Sequence, residues 1–336
     1  MQAMTRDSSQ GLAPEPRSAA SASALLMRRL SSSGIVLVFL MLFVALSVSV
    51  PNFFTLRNLQ GLLLSVSLIG GIAVTMMLVL ALGEVDLSVA SIVAFSGVVA
   101  SLCITATHSV FTGVLAGVLA GASVGLFNGV VVARLRINSL IATLATMEMV
   151  RGLAYIVTHG DAAIISEERF FRLGAGSLLG VGVPIWENLI LFVLFGWLLN
   201  YSVFGKNVLA IGGNAEAARL AGIEVARVKI IVFVLQGVAA GLAGVLLASR
   251  MSLGDPKTSQ GLELGVISAC VLGGVSLSGG VATISGVLVG VLIMGSVQNA
   301  MSLINVPTFY QYLIRGAILL MAVLFDRLRQ QRRATS

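Results

Sequence analysis

The chain has 336 residues, of which 57% are hydrophobic and only 10% charged, and its net charge is +7. A soluble protein carries roughly 25% charged residues to face water. This composition therefore excludes an ordinary soluble surface and requires lipid around an apolar exterior. The positive balance would suit nucleic acid in a soluble chain, but here the basic residues lie between apolar runs, as topology signals do.

Residues 1–33 are polar and rich in Ser, Ala and Pro, with Arg6, Arg17, Arg28 and Arg29. They are expected to form a disordered cytoplasmic tail. The apolar run 34–50 lacks an A-x-A cleavage pattern, so it reads as a retained first transmembrane helix and not a signal peptide. A crossing helix needs about 20 mostly apolar residues. Nine more candidates follow at 60–82, 87–105, 110–133, 138–158, 181–200, 228–249, 262–277, 279–303 and 307–325. The eighth of the ten is short and ends in Gly273 and Gly274. The expected fold class is thus all-α: a polytopic membrane domain over 34–326, followed by a basic C-terminus, 327–336.

An even number of crossings puts both termini on one side. With the N-terminus inside, fourteen Lys and Arg residues fall on inner segments and five on outer ones. The inner set includes Arg134, Arg136, Lys206, Arg219, Arg227 and Lys229; the outer set is Arg57, Arg169, Arg172, Arg250 and Lys257. That bias places both termini in the cytoplasm.

Gly113, Gly117, Gly121, Gly125 and Gly129 recur every fourth residue in the fourth helix, with Gly237 and Gly241 in the seventh and Gly286 and Gly290 in the ninth. Such stripes let helix backbones approach in lipid, which predicts packed seams and also allows seams that slide during gating. Two turns read alike: Gly83-Glu84-Val85-Asp86-Leu87-Ser88 and Gly273-Gly274-Val275-Ser276-Leu277-Ser278. They suggest two similar halves of the same orientation.

Charges at membrane depth are expensive and face protein or water. Glu84, Asp86 and Ser88 lie at the turn between the second and third helices; they read either as a solvated turn or as caps that fix a gate. Glu148 and Arg151, three residues apart, can face each other, as a self-neutralised pair or as a polar station lining a pathway. Glu263 opens the eighth helix and Arg315 lies along the tenth. Glu148 is the only acid deep enough for an ion site, and Arg151 is expected to neutralise it, which argues against ion-coupled transport.

The inner loop 201–227 contains a short helix expected from Asn214 to Gly222. Asn214 is a good N-cap, Glu216 suits the first turn, Ala217 and Ala218 favour helix, and Gly222 fits a C-terminal stop. With Gly212 and Gly213 before it, this segment is either an ordered loop or a helix that seats in a cleft on a partner. The two cysteines, Cys103 and Cys270, and the two histidines, His108 and His159, make no metal-binding spacing. The chain carries no G-x-x-x-x-G-K-[ST] and no G-x-S-x-G or H-E-x-x-H. Any active transport must draw its energy from another chain.

The run Gly83-Glu84-Val85-Asp86-Leu87-Ser88-Val89-Ala90-Ser91 resembles the G-x-x-D-L-S-V-x-S signature of bacterial ABC monosaccharide permeases, although Glu84-Val85 departs from the family's usual small residue and Ile or Phe. Pro51 to Asn58, Gly212 to Gly222 and Val271 to Leu277 resemble the same family. Ser139 to Met147, Val150 to Ile156, Ala215 to Gly222 and Val266 to Leu277 are similar to its L-arabinose subfamily.

The resemblance implies a bacterial inner-membrane permease subunit that is no enzyme. It implies a homodimer, an ABC ATPase subunit that binds ATP and Mg, and a periplasmic sugar-binding protein. Gly212, Gly213, Asn214, Glu216, Ala217, Ala218 and Gly222 would couple to that ATPase. No cofactor of the chain's own is expected. The cargo would be a monosaccharide, L-arabinose ahead of xylose, ribose or galactose. An ion-coupled sugar carrier is the remaining alternative. With aromatic residues at 6% of the chain, no stacked-ring sugar clamp is expected in the pore.

Overall fold

The computed structural model describes residues 20–334, with side chains described for 34–328. Thirteen helices account for nearly all of it: α1 (Ala20–Ser49), α2 (Leu56–Ala81), α3 (Val89–Thr107), α4 (Val110–Ala133), α5 (Ser139–Thr158), α6 (Glu168–Ala175), α7 (Val183–Tyr201), α8 (Val203–Gly213), α9 (Ala215–Leu220), α10 (Val225–Met251), α11 (Leu262–Leu272), α12 (Ile284–Leu303) and α13 (Thr308–Ala334). Four two-residue strands complete it: β1 (Ala163–Ile164), β2 (Ser177–Leu178), β3 (Val181–Gly182) and β4 (Leu253–Gly254). β2 and β3 form a hairpin whose two turn residues, Leu179 and Gly180, both have positive φ, as a tight hairpin of native twist requires. β1 pairs with β4, joining the 159–167 and 252–261 segments.

Eight of the helices, α2, α3, α4, α5, α7, α10, α12 and α13, are long and apolar enough to cross a membrane. The first expected span corresponds to the apolar part of α1, Gly34–Ser49. That helix begins at Ala20, inside the segment expected to be a disordered tail; the helix-favouring run around Ala24, Leu25, Leu26 and Met27 can extend it backwards. Residues 1–19 of the expected tail lie outside the described residues.

The eighth expected span, 262–277, is cut short. α11 stops at Leu272, where Gly273 caps it and Gly274 takes φ +82°. Its 11 residues, at about 1.5 Å each, reach only about half of a bilayer core of about 30 Å.

α2 is the axis of the bundle. Every residue from Ile69 to Leu82 is buried, as befits a helix apolar on all sides. α7, α10, α11 and α12 pack around it. α4 runs antiparallel along α10 through the glycine stripe: a Cβ on Gly121 would strike the Gly237 carbonyl, one on Gly125 the Phe233 carbonyl, and one on Gly129 the Ile230 backbone. Gly286 and Gly290 of α12 lie equally close to the carbonyls of Gly273 and Ala269. The expected seams are therefore real, with backbone against backbone. On the outside, Phe111, Ile156, Val193, Leu313 and Phe325 are each more than 60% exposed. An apolar exterior of this extent requires lipid.

Candidate functional site

The 201–227 segment is more ordered than its sequence suggested. Residues 203–213, expected as loop, form α8, because Ser202 caps its first turn through Gly205 N (3.0 Å) and Gly205, Val208 and Ile211 bury one face at helical spacing. Asn214 then caps α9, its Oδ1 accepting from Ala217 N at 2.9 Å. Glu216 pairs with Arg219 at 2.6 Å on the exposed side. Ala218 is buried, and Gly222 ends the segment with φ +86°. Ala217 is exposed, and Leu220, which the sequence reading overlooked, is 80% exposed at the tip. A short helix is thus seated on one end of the bundle through Ala218, with Leu220 as an exposed apolar tip.

Gly212 and Gly213 differ. Gly213 is exposed, and a Cβ added there would meet nothing within 4 Å. Gly212 is wedged against the Ala81 carbonyl and the Gly280 amide, where a Cβ would overlap both. Gly280 N donates to the same Ala81 oxygen at 2.9 Å. Gly279 in turn lies against the Gly212 carbonyl and Gly83 N. The two similar turns thus meet each other, with the end of α8 set between them.

Both turns close a helix in the same way. Gly83 N donates to Leu80 O and Glu84 N to Val79 O; Gly274 N donates to Val271 O and Val275 N to Cys270 O. Gly83 and Gly274 take φ +77° and +82°, a region that glycine enters without strain. Asp86 Oδ1 accepts from Ser88 N, as Ser276 Oγ does from Ser278 N. The helix ends align Gly83 with Gly274, whereas the side-chain turns align Asp86 with Ser276. The second turn is therefore one residue shorter.

Asp86 is fully buried. Its Oδ1 accepts from Ser88 N (2.9 Å) and Ser88 Oγ (2.6 Å), and Asn128 Nδ2 donates to Ser88 Oγ (2.8 Å). Burial pushes the Asp86 carboxyl up to about 6, with the bonds from Ser88 opposing the shift. Asp86 Oδ2 and Asn128 Oδ1 have no hydrogen-bond partner. From α5, Ser139 Oγ accepts from Val85 N (3.2 Å) and Thr143 Oγ1 from Leu87 N (3.1 Å). Glu84 forms an ion pair with Lys229, the side chains being 15% and 19% exposed. The turn is a built junction of α3, α4, α5 and α10.

Glu148 and Arg151 do not pair with each other among the described residues. Arg151 Nη1 donates to the carbonyls of Pro256 (2.6 Å) and Thr258 (2.9 Å), tying α5 to the 252–261 segment. A guanidinium satisfied by two fixed carbonyls has little reason to bend back one turn to a carboxylate. Glu148 is exposed on α5 instead. Glu263 stands in the first turn of α11, with Oε2 buried and unpartnered. Arg315 Nη1 reaches Gly261 O at 3.3 Å, and its guanidinium lies 5.6 Å from the Tyr312 ring centre. Two further polar groups escaped sequence reasoning. Gln236 is fully buried in α10 with both amide atoms unpartnered, and Glu187 lies in the second turn of α7. The only signal for either was a polar side chain inside an apolar run.

His108 and His159 end α3 and α5 in the left-handed conformation. Cys103 and Cys270 are free thiols.

An apolar exterior, glycine-sealed seams, buried polar groups at a helix junction and a short helix with an exposed tip at one end define a class: a multi-pass α-helical membrane transport protein. The chain belongs to the family described as the permease component of the branched-chain amino acid transport system, which matches residues 58–323. It is 73% identical to the L-arabinose ABC transporter permease protein AraH of Azospirillum brasilense over 91% of this chain and 90% of that protein. It is 54% identical to the L-arabinose transport system permease protein AraH of Escherichia coli (90% and 92% covered). To the ribose import permease protein RbsC of Escherichia coli it is 37% identical (87% and 92% covered). No solved structure matches the chain.

Proposed function

We propose that this chain is the permease subunit of an ABC importer that carries L-arabinose across the bacterial inner membrane. The observation that carries the reading is the 73% identity, over nine-tenths of both chains, to a protein named as an L-arabinose permease. The drop to 37% against a ribose permease favours arabinose over ribose.

The topology is ten crossing segments with both termini cytoplasmic, as the fourteen-to-five basic bias supports; α11 covers about half of the eighth crossing, and the 273–280 turn, bonded to Ala81 at the end of α2, completes it. The chain hydrolyses nothing; a partner ATPase binds ATP and Mg and seats α9 with its exposed Leu220. A periplasmic sugar-binding protein delivers the cargo at the opposite end. Glu148 favours a homodimer, because an exposed carboxylate within a crossing helix must face another protein surface or water, not lipid. The Asp86 junction and Arg151 then lie where the inner and outer gates must move. Binding of ATP to the partner supplies the free energy that shifts the outward- and inward-open states.

The experiment is uptake of labelled L-arabinose, D-xylose and D-ribose by vesicles holding the reconstituted complex and its binding protein. ATP-dependent uptake with arabinose preferred is the expected result. Uptake that survives ATP depletion and collapses with an ion gradient would make it a secondary carrier, and preference for ribose or xylose would replace the cargo.

A further inference from the structure

A cavity of about 270 Å³ opens between the outer halves of α2, α7, α10 and α12 and the start of α11. It lies at the far end of α10 from Lys229, opposite the coupling segment. Most of its wall is aliphatic, but Glu187, Arg250, Gln298, Ser65 and Ser67 also line it. None of its lining residues is aromatic. Gly71 of α2 makes room beside Glu187: a Cβ there would stand 3.3 Å from Glu187 Oε1. Neither Glu187 nor Arg250 forms an ion pair among the described residues.

A carboxylate and an amide beside one small cavity, Glu187 and Gln298, are costly in a membrane domain unless a polar partner faces them, and Arg250, exposed in the last turn of α10, lines the same cavity. Their chemistry suits a polyhydroxylated ring. The carboxylate accepts from hydroxyl groups, the guanidinium donates to hydroxyl oxygens, the amide does either, and the aliphatic wall covers the C–H face. The volume lies just below the usual range of about 300–1,000 Å³ for small-molecule sites, room for one small ring but not a peptide.

We propose that this cavity is a monosaccharide subsite within each protomer, with Glu187, Arg250 and Gln298 as its hydrogen-bonding residues. The subsite rests on the reading of the chain as a sugar permease and adds to it a place where the sugar is held after release from the binding protein. Recognition by hydrogen bonds replaces ring stacking, for which this wall offers no aromatic side chain.

The test uses the permease–ATPase complex in lipid nanodiscs without the binding protein. Ser65→Cys places an exposed, nearly isosteric thiol on the cavity wall, and its modification by a hydrophilic methanethiosulfonate is followed at that peptide by mass spectrometry. Saturating L-arabinose or D-ribose is expected to slow modification about tenfold, and Glu187→Gln or Gln298→Leu to raise the sugar concentration needed by about tenfold, the loss of one charge-assisted or amide contact. An unchanged labelling rate at saturating sugar, in a complex that still imports sugar once its binding protein is restored, overturns the subsite. Protection that neither variant weakens overturns its residue assignment. Failure of import in the unmodified complex would strike the parent reading instead, and the two failures are read in separate assays.

Discussion

Lys229, in the second turn of α10, forms an ion pair with Glu84, in the turn that closes α2. The pair spans 145 residues of sequence and bolts the base of the arm carrying α9 to the turn that holds Asp86. Glu84 departs from the usual pattern of the family the sequence resembles, and its partner gives that departure a purpose.

Breaking this bolt should uncouple the complex before it unfolds the chain. Lys229→Met or Glu84→Gln removes a pair that is mostly shielded from water, at a cost of about 2 kcal/mol, between the values for exposed and buried pairs. The expected result is a lowered melting temperature in detergent and reduced ATP-dependent uptake. The swapped double variant, Glu84→Lys with Lys229→Glu, should recover most of both; a double-mutant cycle with no coupling would refute the bolt.

Two adjacent glycines should behave in opposite ways. Gly213→Arg meets open space, so the protein should insert and melt normally yet lose ATPase binding and uptake, which co-purification measures. Gly212→Ala drives a methyl into the Ala81 carbonyl, so it should lower expression and melting temperature even without the partner, by about 1–3 kcal/mol of overpacking.

Asp86 predicts a pH dependence of defined sign. Its folded value, about 6, stands above its ordinary 3.8. Between those values the folded chain holds a proton that the unfolded chain releases, so stability is greatest below about 4 and falls as pH rises to about 6, then levels off. Asp86→Asn keeps an oxygen for Ser88 and removes the charge. Its melting temperature should stay flat across that window and match or exceed the wild type at neutral pH, as scanning calorimetry in detergent would reveal. Asp86→Ala, which strands the buried Ser88 amide, should be less stable at every pH.

How much of this was legible depended on whether the cause was local. The apolar runs 110–133 and 138–158 matched α4 and α5, whose starts Ser109 and Asn138 cap, and α9 followed from Asn214 and Gly222. The glycine stripe announced a seam, but not that α10 would fill it, because a stripe of small residues names no partner. The spacing of Glu148 and Arg151 suggested a pair. The guanidinium instead found carbonyls more than a hundred residues away, which no local pattern encodes. The eighth span was overestimated because apolar residues continue through Val275 and Leu277, while the glycines at 273 and 274 had already ended the helix.

Arg151 supplies a test on the outer side. Arg151→Met removes two charge-assisted bonds to Pro256 and Thr258, worth about 1.5–3 kcal/mol each when intact. The 252–261 segment should then exchange its amide hydrogens markedly faster while α9 remains unchanged. Protection that stays at the wild-type level would show that the β1–β4 pairing alone holds that segment.

The meeting of Gly83, Gly212, Gly279 and Gly280 has a mechanical consequence. Where side chains separate two helices, rotamer changes can absorb a small displacement. Here main chain rests on main chain, so there is no compliant layer to take up slack. A push delivered to α9 and passed to the end of α8 enters both turns at once, like a lever on a bare fulcrum. The two turns can only shift together.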